Sequence, residues 1–207
     1  MFSSPEVAQY INENFEPAWE MVRPVPTITI DFGNGKKMTR TVNGNIATYV
    51  CTRDGYIVDV LPGIFDSATY LDRLSAIKRQ FETLPSDQPG LVRELANYHL
   101  NAETRKAVIG SAGAERRTIA SPLIVGAFKP QPERRSISKS TLIADTEINE
   151  NERRPIIHSV LKYSGLVKPD DLKKWLYREV LHADLDDPYL GFDKILTQSY
   201  PFDDGGS

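Results

Sequence analysis

The sequence has one cysteine, Cys51, among its 207 residues. A single thiol excludes an internal disulfide, a CxxC redox pair and any cysteine-rich zinc site. No apolar run approaches the ~18 residues that a membrane-spanning helix requires. The first ten residues, MFSSPEVAQY, lack a basic stretch followed by an apolar stretch, so we expect no secretory signal. These absences predict a soluble cytoplasmic protein with no membrane partner.

The chain also lacks an excess of positive charge, since 25 basic residues face 28 acidic ones and the net charge is -3. This balance argues against a nucleic-acid partner, which would need clustered cationic surface. Neither a glycine-rich phosphate loop, a GxSxG elbow, an HExxH pair nor a Rossmann fingerprint occurs. We therefore predict no cofactor. A hydrophobic fraction of 40% is enough for a real core.

The first part of the chain alternates helical and strand patterns. Ser4 and Pro5 mark the start of a helix that Pro17 ends. Residues 18–22 (AWEMV) then predict a short strand. The turns GNG and RDG each lie between strand-like segments, which predicts two hairpins. Their strands are predicted at residues 27–31, 37–42, 46–52 and 56–61. A further helix capped by Asp66 or Ser67 follows and extends to Phe81.

This order resembles the thioredoxin-like family. The resemblance covers residues 2–81 and is carried by PEVAQYINENF, GNIATYVCTRDGYIVDVLPG and FDSATYLDRL. It implies a sheet-and-helix domain, but the family's first strand and CxxC are missing, and Ala47 stands where the family has a cis-proline. A cis peptide before alanine would cost ~2.5–4 kcal/mol, so we expect the trans form. The resemblance therefore implies the fold without the dithiol chemistry.

The predicted fold class is α/β: a partial thioredoxin-like domain with a mainly helical C-terminal extension. The first domain is expected at residues 1–84. Residues 85–154 are predicted to be an irregular connection with short strands at SPLIVGAF and STLIADTEI. The basic pairs in this connection are interpreted as solvated loop surface, although they could bind phosphates. These pairs are Arg116-Arg117, Arg134-Arg135 and Arg153-Arg154.

Residues 155–207 are predicted to form a helical hairpin and an apolar tail. Pro155 is expected at the start of one helix and Lys168-Pro169 at the start of the next. A DNA-binding helix-turn-helix is the alternative, but acidic residues follow the second helix and disfavour it. His158 on the first helix is interpreted as a hydrogen-bonded interior histidine. The tail DPYLGFDKILTQSYPF is too apolar to stay in water, so it covers the body or docks on another chain.

Two places in the sequence are candidate sites. Cys51, the only thiol, is a candidate catalytic residue, although it lies in a strand expected to be central and is interpreted as a small buried hydrophobic residue. The second candidate is a group of metal-ligand residue types, interpreted more readily as a helix end followed by a turn. Its members are His182, Asp184, Asp186 and Asp187.

The leading functional prediction is a non-catalytic thioredoxin-like protein that binds a protein partner or self-associates. One alternative is a thiol-disulfide oxidoreductase whose CxxC lies upstream of this chain. A weaker alternative is a metal-dependent enzyme that uses the cluster between His182 and Asp187. A Ser-His-Asp triad is compatible with the three histidines, but nothing local supports it.

Overall fold

The computed structural model of the chain describes residues 2–24, 27–41, 46–110 and 139–187. Within them the chain is a mixed α/β protein with two antiparallel two-stranded sheets. The helices are α1 (Pro5–Asn14), α2 (Ser67–Phe81), α3 (Gln88–Gly110), α4 (Lys139–Ile148), α5 (Arg154–Ser164) and α6 (Pro169–Trp175). The strands are β1 (Thr27–Asp31), β2 (Lys37–Thr41), β3 (Ala47–Cys51) and β4 (Ile57–Pro62). None of the described helices is long and apolar enough to cross a membrane.

Both predicted hairpins form. β1 pairs with β2 with Ile30 opposite Met38, and β3 pairs with β4 with Val50 opposite Asp59. The glycines of the turns take positive φ angles, as these tight turns require. The predicted helix after the second hairpin is also confirmed, because the Asp66 carboxylate accepts a hydrogen bond from the Thr69 backbone N–H at 3.0 Å. No cis peptide bond occurs in the described residues, as expected before Ala47.

β4 lies between two hydrophobic cores, and all six of its residues are buried. Val58 and Leu61 pack into one core together with side chains of α1, α2 and α3. Ile57 and Val60 pack into a second core with α5, α6 and the helical turn that follows α6. Because β4 is buried on both faces, a polar side chain in it cannot reach water. Asp59, in the middle of β4, therefore requires hydrogen-bond partners inside the protein.

Three secondary-structure predictions were wrong. Residues 18–22 form no strand, because no neighbouring strand among the described residues supplies hydrogen-bond partners. The predicted connection 85–154 contains the 23-residue helix α3 and the helix α4. STLIADTEI belongs to α4, where Thr146 is buried while Ile143 and Ile148 are exposed. SPLIVGAF, the first two basic pairs and the apolar tail lie outside the described residues.

Pro155 lies in the first turn of α5, close to the helix start predicted there, but α5 continues a helix that begins earlier. The helix begins at Lys139 and continues through a π-helical turn, Asn149–Arg153, into α5. Proline has no N–H, and its ring crowds the carbonyl four residues earlier, so an ordinary α-helical turn would clash there. The wider π turn directly before Pro155 lets the chain continue as a helix. The predicted second helix does begin at Pro169, and Gly165, with φ 66°, ends the first.

Candidate functional site

A buried ionic network surrounds Asp59. One carboxylate oxygen, Oδ2, accepts hydrogen bonds from Arg154 Nη2 at 2.9 Å and from the Tyr98 hydroxyl at 2.6 Å. The other oxygen accepts from the Val60 backbone N–H at 2.7 Å. Burial alone would raise the pKa of Asp59, but Arg154 and the other donors hold it well below its usual range. Asp59 is therefore ionised at neutral pH although it is fully buried.

Arg154 links this carboxylate to a second acid nearer the surface. Its Nε lies 3.5 Å from Glu150 Oε1, one helical turn earlier. The other oxygen of Glu150 pairs with Arg73 Nη2 of α2 at 2.9 Å. The prediction that the pair Arg153-Arg154 belongs to solvated loop surface was wrong, because Arg154 is only 6% exposed and points into the protein.

Two histidines continue the network away from Arg154. His158 Nε2 lies 3.2 Å from Arg154 Nη2, and His158 Nδ1 lies 2.9 Å from His99 Nδ1. A guanidinium has donors only, so His158 Nε2 accepts and its proton sits on Nδ1. His158 then donates to His99 Nδ1, which places the His99 proton on Nε2. The interpretation of His158 as a hydrogen-bonded interior histidine agrees with these contacts.

The histidine pair makes stability depend on pH. Burial lowers the pKa of His99 from 6.5 to about 4, with His158 and Arg154 acting in the same direction against Asp59. Between these values the unfolded chain binds a proton that the folded chain does not. We therefore expect His99 to reduce the free energy of unfolding by up to about 3 kcal/mol as the pH falls from 6.5 to 4.

Urea unfolding across this pH range checks the expectation. His99→Asn removes the titrating group, so its free energy of unfolding should fall less steeply with pH than that of the wild type. His182→Gln is the matched control, because it replaces an exposed histidine outside the network. Equal slopes for wild type and His99→Asn would contradict the assignment of this acid sensitivity to His99.

A groove with a cavity volume of about 520 Å³ lies between α2 and α3, next to the network. Tyr98 belongs to both, because its side chain lines the groove while its hydroxyl bonds Asp59. Burial and the Asp59 carboxylate raise the pKa of Tyr98, so the hydroxyl keeps its proton and donates. The other polar lining includes the carboxamides of Gln80, Asn97 and Asn101. The lining also includes the charged residues Arg79 and Glu94, so the groove is mainly polar.

An exposed arm, defined here as residues 16–24 together with the β1–β2 hairpin, forms a third feature. Its hairpin has a polar face, where Thr29 bonds Thr39 and Lys37 pairs with Asp31. The opposite face carries apolar side chains. Its large exposed members are Ile30 at 42% and Phe32 at 56% exposure, and Met38 lies opposite Ile30.

Residues 16–24, which lead into this hairpin, contact the C-terminal helices through alternate side chains. The side chains between them point to solvent. Glu20 accepts from Lys173 Nζ at 2.7 Å, and Val22 packs on the second core. Trp19 and Met21, which alternate with them, are 84% and 71% exposed. The arm therefore presents large apolar side chains that no described residue covers.

Cys51 does not occupy a central strand, contrary to expectation. It ends β3, which pairs only with β4 among the described strands, and its side chain is half-buried against the second core. Burial raises the pKa of the Cys51 thiol, so this position disfavours the thiolate that nucleophilic chemistry needs.

The acidic candidate cluster forms a turn. Asp184 accepts from the Asp186 backbone N–H at 3.0 Å, and Asp186 pairs with Lys174 Nζ at 2.9 Å. His182 adopts a positive φ of 52°, and the Asp187 carbonyl accepts from Arg23. Among the residues that the structure describes, no group of three or more His, Cys, Asp or Glu side chains is placed to hold a metal ion.

The ionic network and the groove were not predicted from the sequence. The sequence does carry a signal for Asp59, because a carboxylate in the apolar run IVDVLP needs a buried partner. No local signal pairs it with Arg154, which lies 95 residues later. Comparison with family models, with curated proteins and with solved structures gives no match.

Proposed function

We propose that the chain is a non-catalytic protein that acts by binding another protein chain, either a different protein or a second copy of itself. The observation that carries this proposal is the apolar face of the arm's hairpin, where no described residue covers the exposed side chains of Ile30 and Phe32. An isolated two-stranded hairpin is marginally stable in water, and antiparallel sheets ordinarily pack one face against a core. A partner would supply that missing core.

Trp19 and Met21, in the segment before the hairpin, are two further large apolar side chains that are exposed. Tryptophan is enriched among the few residues that carry most of the energy of protein interfaces, and contiguous exposed apolar side chains mark interaction sites. The ionisable groups inside the protein support the non-catalytic part of the proposal. Arg154 bonds both Asp59 and His158, so these contacts use groups that chemistry would otherwise need.

Photocrosslinking tests the arm in the intact protein. Benzoylphenylalanine placed at Phe32, in the full chain expressed in its own organism, is expected to capture a second polypeptide on irradiation. The matched control is Tyr163 on α5, which is 84% exposed and lies outside the arm. Either a second copy of the chain or another protein, identified by mass spectrometry, would support the proposal.

Two results would overturn it. Equal capture at Phe32 and Tyr163 would mean that the arm is not a preferred surface. A crosslink from Phe32 to residues of the same chain would mean that the arm is covered internally. A chain labelled with heavy isotopes and mixed with unlabelled chain separates this second case from a crosslink between two copies.

The thioredoxin-like fold and the cytoplasmic location also stay proposals. The fold is supported by the order of the second hairpin, the Pro62-Gly63 turn and α2, which follows the resemblance. Thiol-disulfide chemistry, the alternative function, would have to come from a CxxC outside this sequence. The metal-dependent alternative would require the turn between His182 and Asp187 to rearrange, because Asp186 is engaged by Lys174.

A further inference from the structure

We propose that the chain's own apolar tail, residues 188–202, docks on the outward side of residues 18–22 and covers Trp19 and Met21. The inference does not rest on the function proposed above, because the apolar face of the hairpin is not part of this contact. A partner that reached Trp19 and Met21 would have to displace the tail. The observations that carry the inference are the two exposed side chains, a contact that leads the tail to them, and the composition of the tail.

Residues 18–22 have one side on the body of the protein and one side in solvent. Glu20 forms an ion pair with α6, and Val22 packs on the second core. Trp19 and Met21 alternate with them, as in an extended chain, and are 84% and 71% exposed. Among the described strands none pairs with this segment, so none of them takes up its main-chain hydrogen bonds. The segment is therefore held from one side and is open to a neighbour on the other.

The last described residue, Asp187, lies beside this segment. Its backbone carbonyl accepts a hydrogen bond from Arg23 Nη1, and Arg23 directly follows Val22. Met21 and Trp19 come two and four residues before Arg23, so neither is more than about 14 Å from it along the chain. Even with the length of the Arg23 side chain added, about eight extended residues after Asp187 reach both side chains. The contact thus delivers the tail to the surface it is proposed to cover.

This short connection favours the chain's own tail over any other occupant. A segment joined to its binding surface by a short linker has an effective concentration there in the millimolar range, which a free partner rarely reaches. The composition of the tail also fits, because it carries large apolar side chains whose contact with Trp19 and Met21 removes apolar surface of both from water. These side chains are Tyr189, Leu190, Phe192, Ile195, Leu196, Tyr200 and Phe202.

Photocrosslinking from position 19 tests the contact in the purified full chain. Benzoylphenylalanine in place of Trp19 keeps a large aromatic group at an exposed position, so the chain should fold. On irradiation we expect a crosslink to a peptide from residues 188–202. Benzoylphenylalanine at Tyr163, which is also 84% exposed, is the matched control and should give no crosslink to that peptide. A mixture of chains labelled with heavy and light isotopes should show that both ends of the crosslink come from one chain.

Two variants of the tail separate a specific contact from mere proximity. Leu190→Asp/Phe192→Asp places charges where apolar contacts are proposed and should lower the yield of the crosslink by about tenfold. Thr197→Asp/Ser199→Asp adds the same charge to the tail at polar positions. This second variant is the matched control and should keep the yield of the wild type.

The fluorescence of Trp19 gives an independent measurement in a Trp175→Phe background, which removes the other tryptophan. Leu190→Asp/Phe192→Asp should shift the emission to longer wavelength and increase its quenching by acrylamide, because Trp19 loses its cover. No crosslink to the tail, a crosslink between two copies, or a yield or emission that this variant leaves unchanged would each overturn the proposal. Capture at Phe32 is measured separately and decides the function proposed above on its own.

Discussion

Replacing Asp59 with alanine is expected to lower the free energy of unfolding by about 3–5 kcal/mol, because it leaves Arg154 buried without its carboxylate. Asp59 is fully buried and Arg154 is 6% exposed, so water cannot replace the lost partner. Tyr98 loses the acceptor of its hydroxyl at the same time. Urea unfolding followed by circular dichroism measures the change.

Two further variants separate a charge effect from a packing effect. Adding Arg154→Met to Asp59→Ala removes the buried guanidinium that has lost its carboxylate. The double variant is expected to recover at least about 1 kcal/mol of the free energy of unfolding. Asp72→Ala is the surface control, since Asp72 is exposed and lies 3.9 Å from Arg73, and should change stability by less than about 0.5 kcal/mol. A loss below about 1 kcal/mol for Asp59→Ala would refute the structural importance of the ion pair.

Gly63→Ala is expected to cost about 2–4 kcal/mol for two independent reasons. Gly63 has a φ of 75°, where an L side chain is strained. A Cβ there would also lie 2.9 Å from Asn149 Oδ1 and 3.0 Å from Arg153 Nη1. Asn149 would have to move, and its buried hydrogen bond to the Ile64 carbonyl would be lost.

Gly55→Ala isolates the backbone contribution. Gly55 precedes β4 and has a similar φ of 83°, but no described atom outside its chain neighbours lies within 4 Å of the place that an added Cβ would take. Its substitution should therefore cost only about 1 kcal/mol. Thermal or urea unfolding compares the two variants directly. Equal losses at Gly55 and Gly63 would mean that the contact with Asn149 adds nothing.

Local chemistry explains which parts of the fold could be predicted from the sequence. The hairpins follow from turn glycines, and α2 follows from the Asp66 cap, because each signal lies within a few residues of the structure it directs. α4 was predicted as a strand because STLIADTEI is rich in β-branched residues. Its helical state depends on packing and on continuity with α5, which short-range patterns do not contain.

The candidate site was harder to predict for the same reason. Asp59, Tyr98 and Arg154 come from β4, α3 and α5, and nothing near any one of them identifies the other two. The sequence predicted Cys51 and the acidic turn as candidate sites because thiols can act as nucleophiles and carboxylates and histidines can bind metal ions. In the structure, burial raises the pKa of the Cys51 thiol, and Asp186 pairs with Lys174.

The position of β4 between two cores has a consequence for how the protein unfolds. Each core includes side chains of this one strand, and the Asp59–Arg154 pair joins the strand to α5. Opening either core would expose β4 to water and separate the buried Asp59–Arg154 pair. Unfolding one core while the other stays folded is therefore unfavourable in free energy. The described parts of the chain should therefore lose their structure in one cooperative transition, with spectroscopic probes of both cores reporting the same midpoint.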